Sequence, residues 1–126
     1  MDPKPSPTRL LDVAGLTEAL ETFAAEREWA PFHTPKNLVM ALVGEVGELT
    51  EIFQWMSAEQ SAGAASNPET AQAVRDELAD VLLYLVRLAD VLGVDLDAAA
   101  RAKLAANALK YPSEKFRGSS RRYDSD

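Results

Sequence analysis

Four acids, Glu45, Glu48, Glu77 and Asp80, are the residues of this chain best suited to act together chemically. They stand in two runs, Gly44-Glu45-Val46-Gly47-Glu48-Leu49 and Asp76-Glu77-Leu78-Ala79-Asp80-Val81. Within each pair the acids are three residues apart, so on a helix both carboxylates leave one face, with Cβ atoms roughly 5 to 6 Å apart. The surroundings are apolar: Leu38, Leu42, Val43, Ile52 and Phe53 flank the first pair, Val74, Val81, Leu82 and Leu85 the second. Two such helices must pack together, and if they do so antiparallel the four acids converge. Four anions in a poorly solvated cleft raise one another's pKa or drive the helices apart. A hard divalent cation removes that conflict. Mg²⁺ suits it best, with Mn²⁺ as a substitute, because it takes oxygen ligands, keeps some waters and completes its shell with substrate phosphates. The alternative is that the acids line solvated helix edges, matched to Arg75 and Arg87.

Composition removes several other chemistries. The 126 residues include no cysteine, which excludes disulfides, thiol catalysis and Cys-ligated zinc. His33 is the single histidine and lies outside both acid pairs, whereas a di-iron bundle needs a Glu-x-x-His pair on each of two helices. No P-loop is present, and no motif places His33 beside a nucleophile. Metal-assisted phosphoryl chemistry remains, in which a bound cation neutralises phosphate charge while water attacks phosphorus. A net charge of -7 argues against nucleic acid as a partner, since phosphate binding needs a basic stripe. Neither a membrane span nor a signal peptide is legible, so the expectation is a cytoplasmic protein with no membrane partner.

The elements that must position these acids are all helical; alternation of period two never persists. Residues 1–11, with Pro3, Pro5 and Pro7, read as a flexible arm. Asp12 can cap a first helix to about Glu28, although Gly15 weakens its first turn and lets the start slip toward Thr17. The segment from Trp29 to Pro35 is a turn too rich in aromatics to be idle. Thr34-Pro35 starts a second helix, hydroxyl cap followed by proline, running to about Trp55 or Met56. Ser57 to Asn67 reads as a connection without periodicity. Asn67-Pro68 repeats the cap-then-proline signal for a third helix ending at Gly93. Asp95 caps a fourth, Leu96 to about Leu109, stopped by Pro112. One domain over 12–112 and a polar, basic tail over 113–126 complete the reading. An apolar second helix with more than one greasy face also predicts self-association.

A nucleotide would need cations for its outer phosphates and flat surfaces for its base. Lys103, Lys110 and the pair Arg121-Arg122 could supply the first; Trp29, Phe32, His33, Trp55 and Tyr84 the second. Tyr84 follows Asp80 by four residues and shares its helix face. Core packing is the competing role for each aromatic.

The run from Phe23 through Glu28-Trp29, Phe32-His33 and Asn37 to Gly44-Glu45-Val46-Gly47-Glu48-Leu49 and Phe53-Gln54-Trp55 closely resembles the dCTP pyrophosphatases. Those belong to the MazG-like, all-α nucleoside triphosphate pyrophosphatases. The likeness continues through Glu77-Leu78-Ala79-Asp80, Tyr84-Leu85-Val86, Lys103, Asn107 and Lys110-Tyr111-Pro112, and into Ser119-Ser120-Arg121-Arg122-Tyr123. It implies an all-α, four-helix bundle assembled as a dimer of dimers, a homo-tetramer. It also implies cleavage of a deoxynucleoside triphosphate between its α and β phosphates, with nucleotide-pool housekeeping as the role. By this resemblance Glu45, Glu48, Glu77 and Asp80 hold Mg²⁺ and are catalytic. Trp29, His33, Asn37, Trp55 and Tyr84 help form the nucleotide pocket. Lys103, Asn107 and Lys110 contact phosphate or sugar, and Arg121 and Arg122 close over the phosphates. Where animal dCTP enzymes carry a histidine midway along the first helix, this chain has Leu20, which leaves the exact base open to modified or neighbouring pyrimidines. A second enzymatic reading keeps the bundle and the metal with dUTP, a damaged purine triphosphate or a general NTP as substrate. A helical interaction module without enzymatic activity is the alternative from another class.

Overall fold

The computed structural model describes residues 11–121, which are helical with no strand among them. They form two compact units, one of Asp12–Val94 and one beginning at Asp95, whereas the sequence suggests a single domain over 12–112. The division falls where Gly93 ends one helix and Asp95 caps the next. Most of the arm expected over 1–11 lies outside the described residues, and so do Arg122 and Tyr123.

The first unit holds α1 (Val13–Glu26), a 3-10 turn (Ala30–Phe32), α2 (Pro35–Phe53), α3 (Ala58–Ala62) and α4 (Ala71–Leu92). α1 starts at once after Asp12, whose carboxylate accepts from the Gly15 N–H at 3.0 Å, so the expected slip toward Thr17 does not occur. Gly15 even helps: a Cβ there would come within 2.5 Å of Oδ2, the second oxygen of the capping carboxylate. Thr34 caps α2 as anticipated, its hydroxyl accepting from Asn37 N–H at 3.2 Å with Pro35 at the first helical position. α2 stops at Phe53, short of Trp55.

Two expectations fail between α2 and α4. The Ser57–Asn67 stretch is not plain connection, because Ser57 and Gln60 form a reciprocal capping box that starts α3. Asn67-Pro68 does not start α4. The Asn67 side chain accepts from Glu69 N–H at 2.9 Å, closing an Asx turn, and helix begins only at Ala71.

α4 is the centre of this unit, packing against α2 and α1. Val74, Val86 and Ala89 of α4 are buried with Leu38 of α2 and Ala24 of α1. The rest of α2 is less covered: Met40 and Val43 are 66% and 63% exposed. No helix among the described residues is long and apolar enough to cross a membrane.

The second unit holds α5 (Leu96–Lys110), capped by Asp95 as expected, and α6 (Ser113–Phe116). α6 occupies the start of the stretch read as tail; Phe116 is buried and meets Tyr111 edge-on, ring centroids 5.1 Å apart. One apolar residue in a polar run was enough to anchor a helical turn.

α1 and α4 end in the same way but with different residues. After α4, Val94 N–H bonds Ala89 C=O and Gly93 N–H bonds Asp90 C=O, a Schellman motif with Gly93 left-handed at φ 71°. After α1, Trp29 N–H bonds Ala24 C=O and Glu28 N–H bonds Ala25 C=O, the same motif with Glu28 at φ 54°. A side chain in that region costs about 1–2 kcal/mol, part of which glycine's larger unfolded-state entropy would offset. Glu28→Gly is therefore expected to stabilise the protein by about 1 kcal/mol, read as a higher denaturation midpoint, while Glu28→Ala should give no such gain.

Candidate active site

The packing of α2 on α4 brings Glu45, Glu48 and Glu77 together, one carboxylate oxygen of each lying within 4.8 Å of the others. Glu48 is exposed, Glu45 and Glu77 half-buried. One oxygen of Glu45 and one of Glu77, Oε2 in each case, are shut away from solvent without a hydrogen-bond partner. Buried carboxylate oxygens are ordinarily satisfied, so this pair is conspicuous.

The electrostatics agree. Glu77 is pushed up to about 7, first by the hydrogen bond it shares with Glu45, then by desolvation and by the neighbouring Glu48. That shared bond pulls Glu45 down, but desolvation and the charges of Glu48 and Asp80 outweigh it, so Glu45 too stands above the usual range. Metal-free, the two acids are therefore coupled and take up a proton more readily than isolated carboxylates do. Unpartnered oxygens, converging like charges and an all-oxygen donor set fit a divalent cation. Asp80 is not within the close trio. It lies one turn beyond Glu77, adds its charge to Glu45 and lines the adjoining cavity.

That cavity, of about 290 Å³, is walled by Leu20, Phe23, Trp29, His33, Leu38, Asp80, Leu83, Tyr84 and Arg87. Its size is at the small end of ligand pockets, which run from ~300 to ~1,000 Å³. Trp29 meets Phe23 edge-on at 5.6 Å and His33 at 6.2 Å, and the Arg27 guanidinium covers Phe23 at 3.5 Å from the ring centre. Arg87 Nε donates to His33 Nδ1 at 3.1 Å, and its Nη1 donates to Asp90 at 3.2 Å. Burial lowers the His33 pKa and the Arg87 charge lowers it further.

Of the residues singled out in the sequence, Trp29, His33 and Tyr84 line the cavity, as does Leu20. Asn37 has another duty: its Nδ2 donates to Phe32 C=O at 3.0 Å, tying the 3-10 turn to α2. Phe32 and Trp55 are not in the wall and are 67% and 89% exposed. Lys103, Asn107 and Lys110 lie along α5 in the second unit; Asn107 is half-buried and the lysines exposed. Arg121 is exposed, its guanidinium 5.8 Å from the Phe116 ring centre. Arg122 is outside the described residues. Phe23, Leu38, Leu83 and Arg87 were not anticipated as cavity wall. Three of them carry a signal in their spacing: Phe23 follows Leu20 by three residues, Leu83 follows Asp80 by three, and Arg87 follows Tyr84 by three.

The chain is similar to several known proteins. The chain is 50% identical over 101 residues to "dCTP pyrophosphatase 1" of Rattus norvegicus and 48% to that of Homo sapiens, each alignment covering 80% of this chain and 59% of the relative. It therefore spans about 60% of the length of the curated relatives it matches. A crystal structure of a pyrophosphatase from Archaeoglobus fulgidus superposes with a TM-score of 0.73 at 35% identity, covering 86% of this chain and 99% of that one. The sequence pattern of the MazG-like family matches residues 41–125, a span that takes in all four acids, Tyr84 and Arg87. With helices, acids and pattern in agreement, this chain belongs to the MazG-like family.

Proposed function

We propose that the chain is a Mg²⁺-dependent nucleoside triphosphate pyrophosphatase of the nucleotide pool, hydrolysing a deoxynucleoside triphosphate, dCTP or a modified dCTP, to monophosphate and pyrophosphate. The observation that carries this is the pair of buried, unpartnered oxygens on Glu45 and Glu77, beside Glu48 and next to an aromatic-walled cavity. The names of the dCTP pyrophosphatase relatives and of the archaeal pyrophosphatase support the reaction class.

In this reading Glu45, Glu48, Glu77 and Asp80 hold the cation, Mg²⁺ or in its place Mn²⁺. When bound, it would neutralise phosphate charge and let an anionic substrate approach four acids. Water forms a bond to one phosphorus of the α–β linkage while the bond from that phosphorus to the bridging oxygen breaks, giving monophosphate and pyrophosphate. The products depart, and the water's proton passes to solvent. The chain's residues orient the nucleotide: Trp29 and Tyr84 flank the base, Phe23 backs Trp29, and Asp80 stands between acid cluster and cavity. Leu20 gives the base wall an apolar patch, which discriminates near-isosteres by only about 1–3 kcal/mol. Lys103, Asn107, Lys110, Arg121 and Arg122 serve phosphate and sugar, with Asn37 and Trp55 at the edge of the nucleotide site. The setting is the cytoplasm, and the assembly a dimer of dimers. Uncovered Met40 and Val43 on α2, with Trp55 just beyond it, support association.

Three outcomes are expected. Pyrophosphate release should be strongest from dCTP against dUTP, dTTP and ATP, and EDTA should abolish it. Glu48→Gln or Glu77→Gln should cut turnover more than about 100-fold, beyond the 10–100-fold typical of residues that only support metal ligands. A full-speed Glu77→Gln enzyme would refute the site.

Stability of the metal-free protein should depend on Glu77 with a definite sign. Its pKa is 4.5 ordinarily and about 7 in the fold, so the folded state binds the proton more tightly. The stabilisation is complete below pH 4.5 and is lost as pH rises through about 7. Thermal melts in EDTA should thus fall across that window in the wild type and stay flatter in Glu77→Gln, with Mg²⁺ reversing the loss at the alkaline end. Finally, light scattering at micromolar concentration should give four protomers, and a monomer would contradict the assembly.

A further inference from the structure

The chain's single histidine has its protonation set by a neighbour. Arg87 Nε, on α4, donates to Nδ1 of His33, just after the 3-10 turn, across 54 residues of sequence at 3.1 Å. An arginine Nε carries its hydrogen at any pH the protein meets, so Nδ1 must be the acceptor and must be bare. In a neutral imidazole the hydrogen then sits on Nε2. Burial and the Arg87 charge both lower its pKa and so favour the neutral ring. The other arm of the guanidinium is fixed as well, with Nη1 on Asp90 at 3.2 Å and the Arg87 side chain only 11% exposed. His33 and Arg87 both line the cavity that Trp29, Tyr84 and Asp80 share.

We propose that Arg87 is a positioning residue of the nucleotide pocket: it holds His33 as a hydrogen-bond donor through Nε2, so that this wall selects a base presenting an acceptor, a carbonyl oxygen or an unprotonated ring nitrogen. The proposal rests on reading the cavity as the base pocket. Without Arg87 a neutral imidazole exchanges between tautomers, one of which would offer a lone pair from Nε2 and accept a base amino group equally well. Arginine suits the task better than lysine, because its planar fork satisfies His33 and Asp90 at once. A merely structural role would need only the Arg87–Asp90 pair, an i, i+3 contact on one helix that adds little to its stability. That role gives no reason for the bond to His33.

Being unique, His33 gives an unambiguous imidazole signal. In ¹⁵N-labelled wild-type protein at neutral pH, without nucleotide, Nε2 should show the shift of a protonated nitrogen and Nδ1 that of a bare one. Arg87→Met should move both toward the average of the two tautomers. In pyrophosphate release from dCTP, Arg87→Met should raise KM by about three- to tenfold, one net hydrogen bond's worth, with kcat changed much less. In a His33→Ala background, Arg87→Met should add nothing further, since one acts through the other. A wild-type His33 that is protonated on Nδ1, or charged, overturns the proposal, and so do effects of the two substitutions that multiply independently. The wild-type spectrum decides the tautomer even if Arg87→Met does not fold. The two readings also fail separately. A wrong tautomer in an active enzyme sinks the role of Arg87 alone. The right tautomer in a protein that turns over no nucleotide sinks the proposed reaction and leaves Arg87's hold on His33 standing.

Discussion

Everything in the first unit depends on a conflict between burial and charge where α2 meets α4. The helices pack through apolar side chains, Leu38 on one and Val74 and Val86 on the other, and that packing carries Glu45 and Glu77 into each other's reach. Taking carboxylates out of water costs several kcal/mol each unless a partner compensates. No protein group does so for their Oε2 atoms. A fold selected for stability alone would place apolar residues there. Retaining acids at the contact makes sense where an external cation is part of the working state. Without one, the like charges of Glu45 and Glu77 are relieved by proton uptake, which both raised pKa values favour.

α4 acts as the ruler of the site. Glu77, Asp80, Tyr84 and Arg87 follow one another at intervals of three, four and three, one face of a helix, over about 15 Å of axis at 1.5 Å per residue. Along that line the chemistry changes from clustered acid to cavity acid, aromatic wall and the guanidinium that grips His33. Asp90, three further on, holds the guanidinium in turn. A rigid element thereby fixes the spacing between acid cluster and cavity wall with no flexible joint between them.

Legibility in the sequence followed the range of the interaction. Caps made by one residue for its own helix were readable: Asp12, Thr34, Gly93 and Asp95 all do what their types suggest. The acid pairs were readable because i, i+3 spacing is a helix-face statement. Asn67-Pro68 misled because the same residue type that caps helices also closes Asx turns, and only the later chain decides. Ser57 and Gln60 carried a capping-box signature masked by weak periodicity around it. Glu28 was illegible in kind, since a left-handed C-terminal residue announces itself only when it is glycine. The bond from Arg87 to His33 was out of reach too. It joins a turn to a helix 54 positions away, and no local pattern encodes that.

The two halves of the site are consequently built to different standards of rigidity. The acids stand on two long helices whose mutual packing is the core of the unit, so their separation cannot drift without unpacking it. The opposite wall comes from the end of α1 and the 3-10 turn, carried by a strained Glu28 and tied down by single bonds, Asn37 to Phe32 and Arg87 to His33. Phosphorus chemistry needs a fixed cation and tolerates little displacement. The proposed base recognition in a small pocket of aromatic and aliphatic walls tolerates more, and a turn can repack around a substituent where a helix pair cannot. In the proposed function, changes of base preference can accumulate on this wall, in the turn and at Leu20 of α1, while the reaction at the acids stays the same.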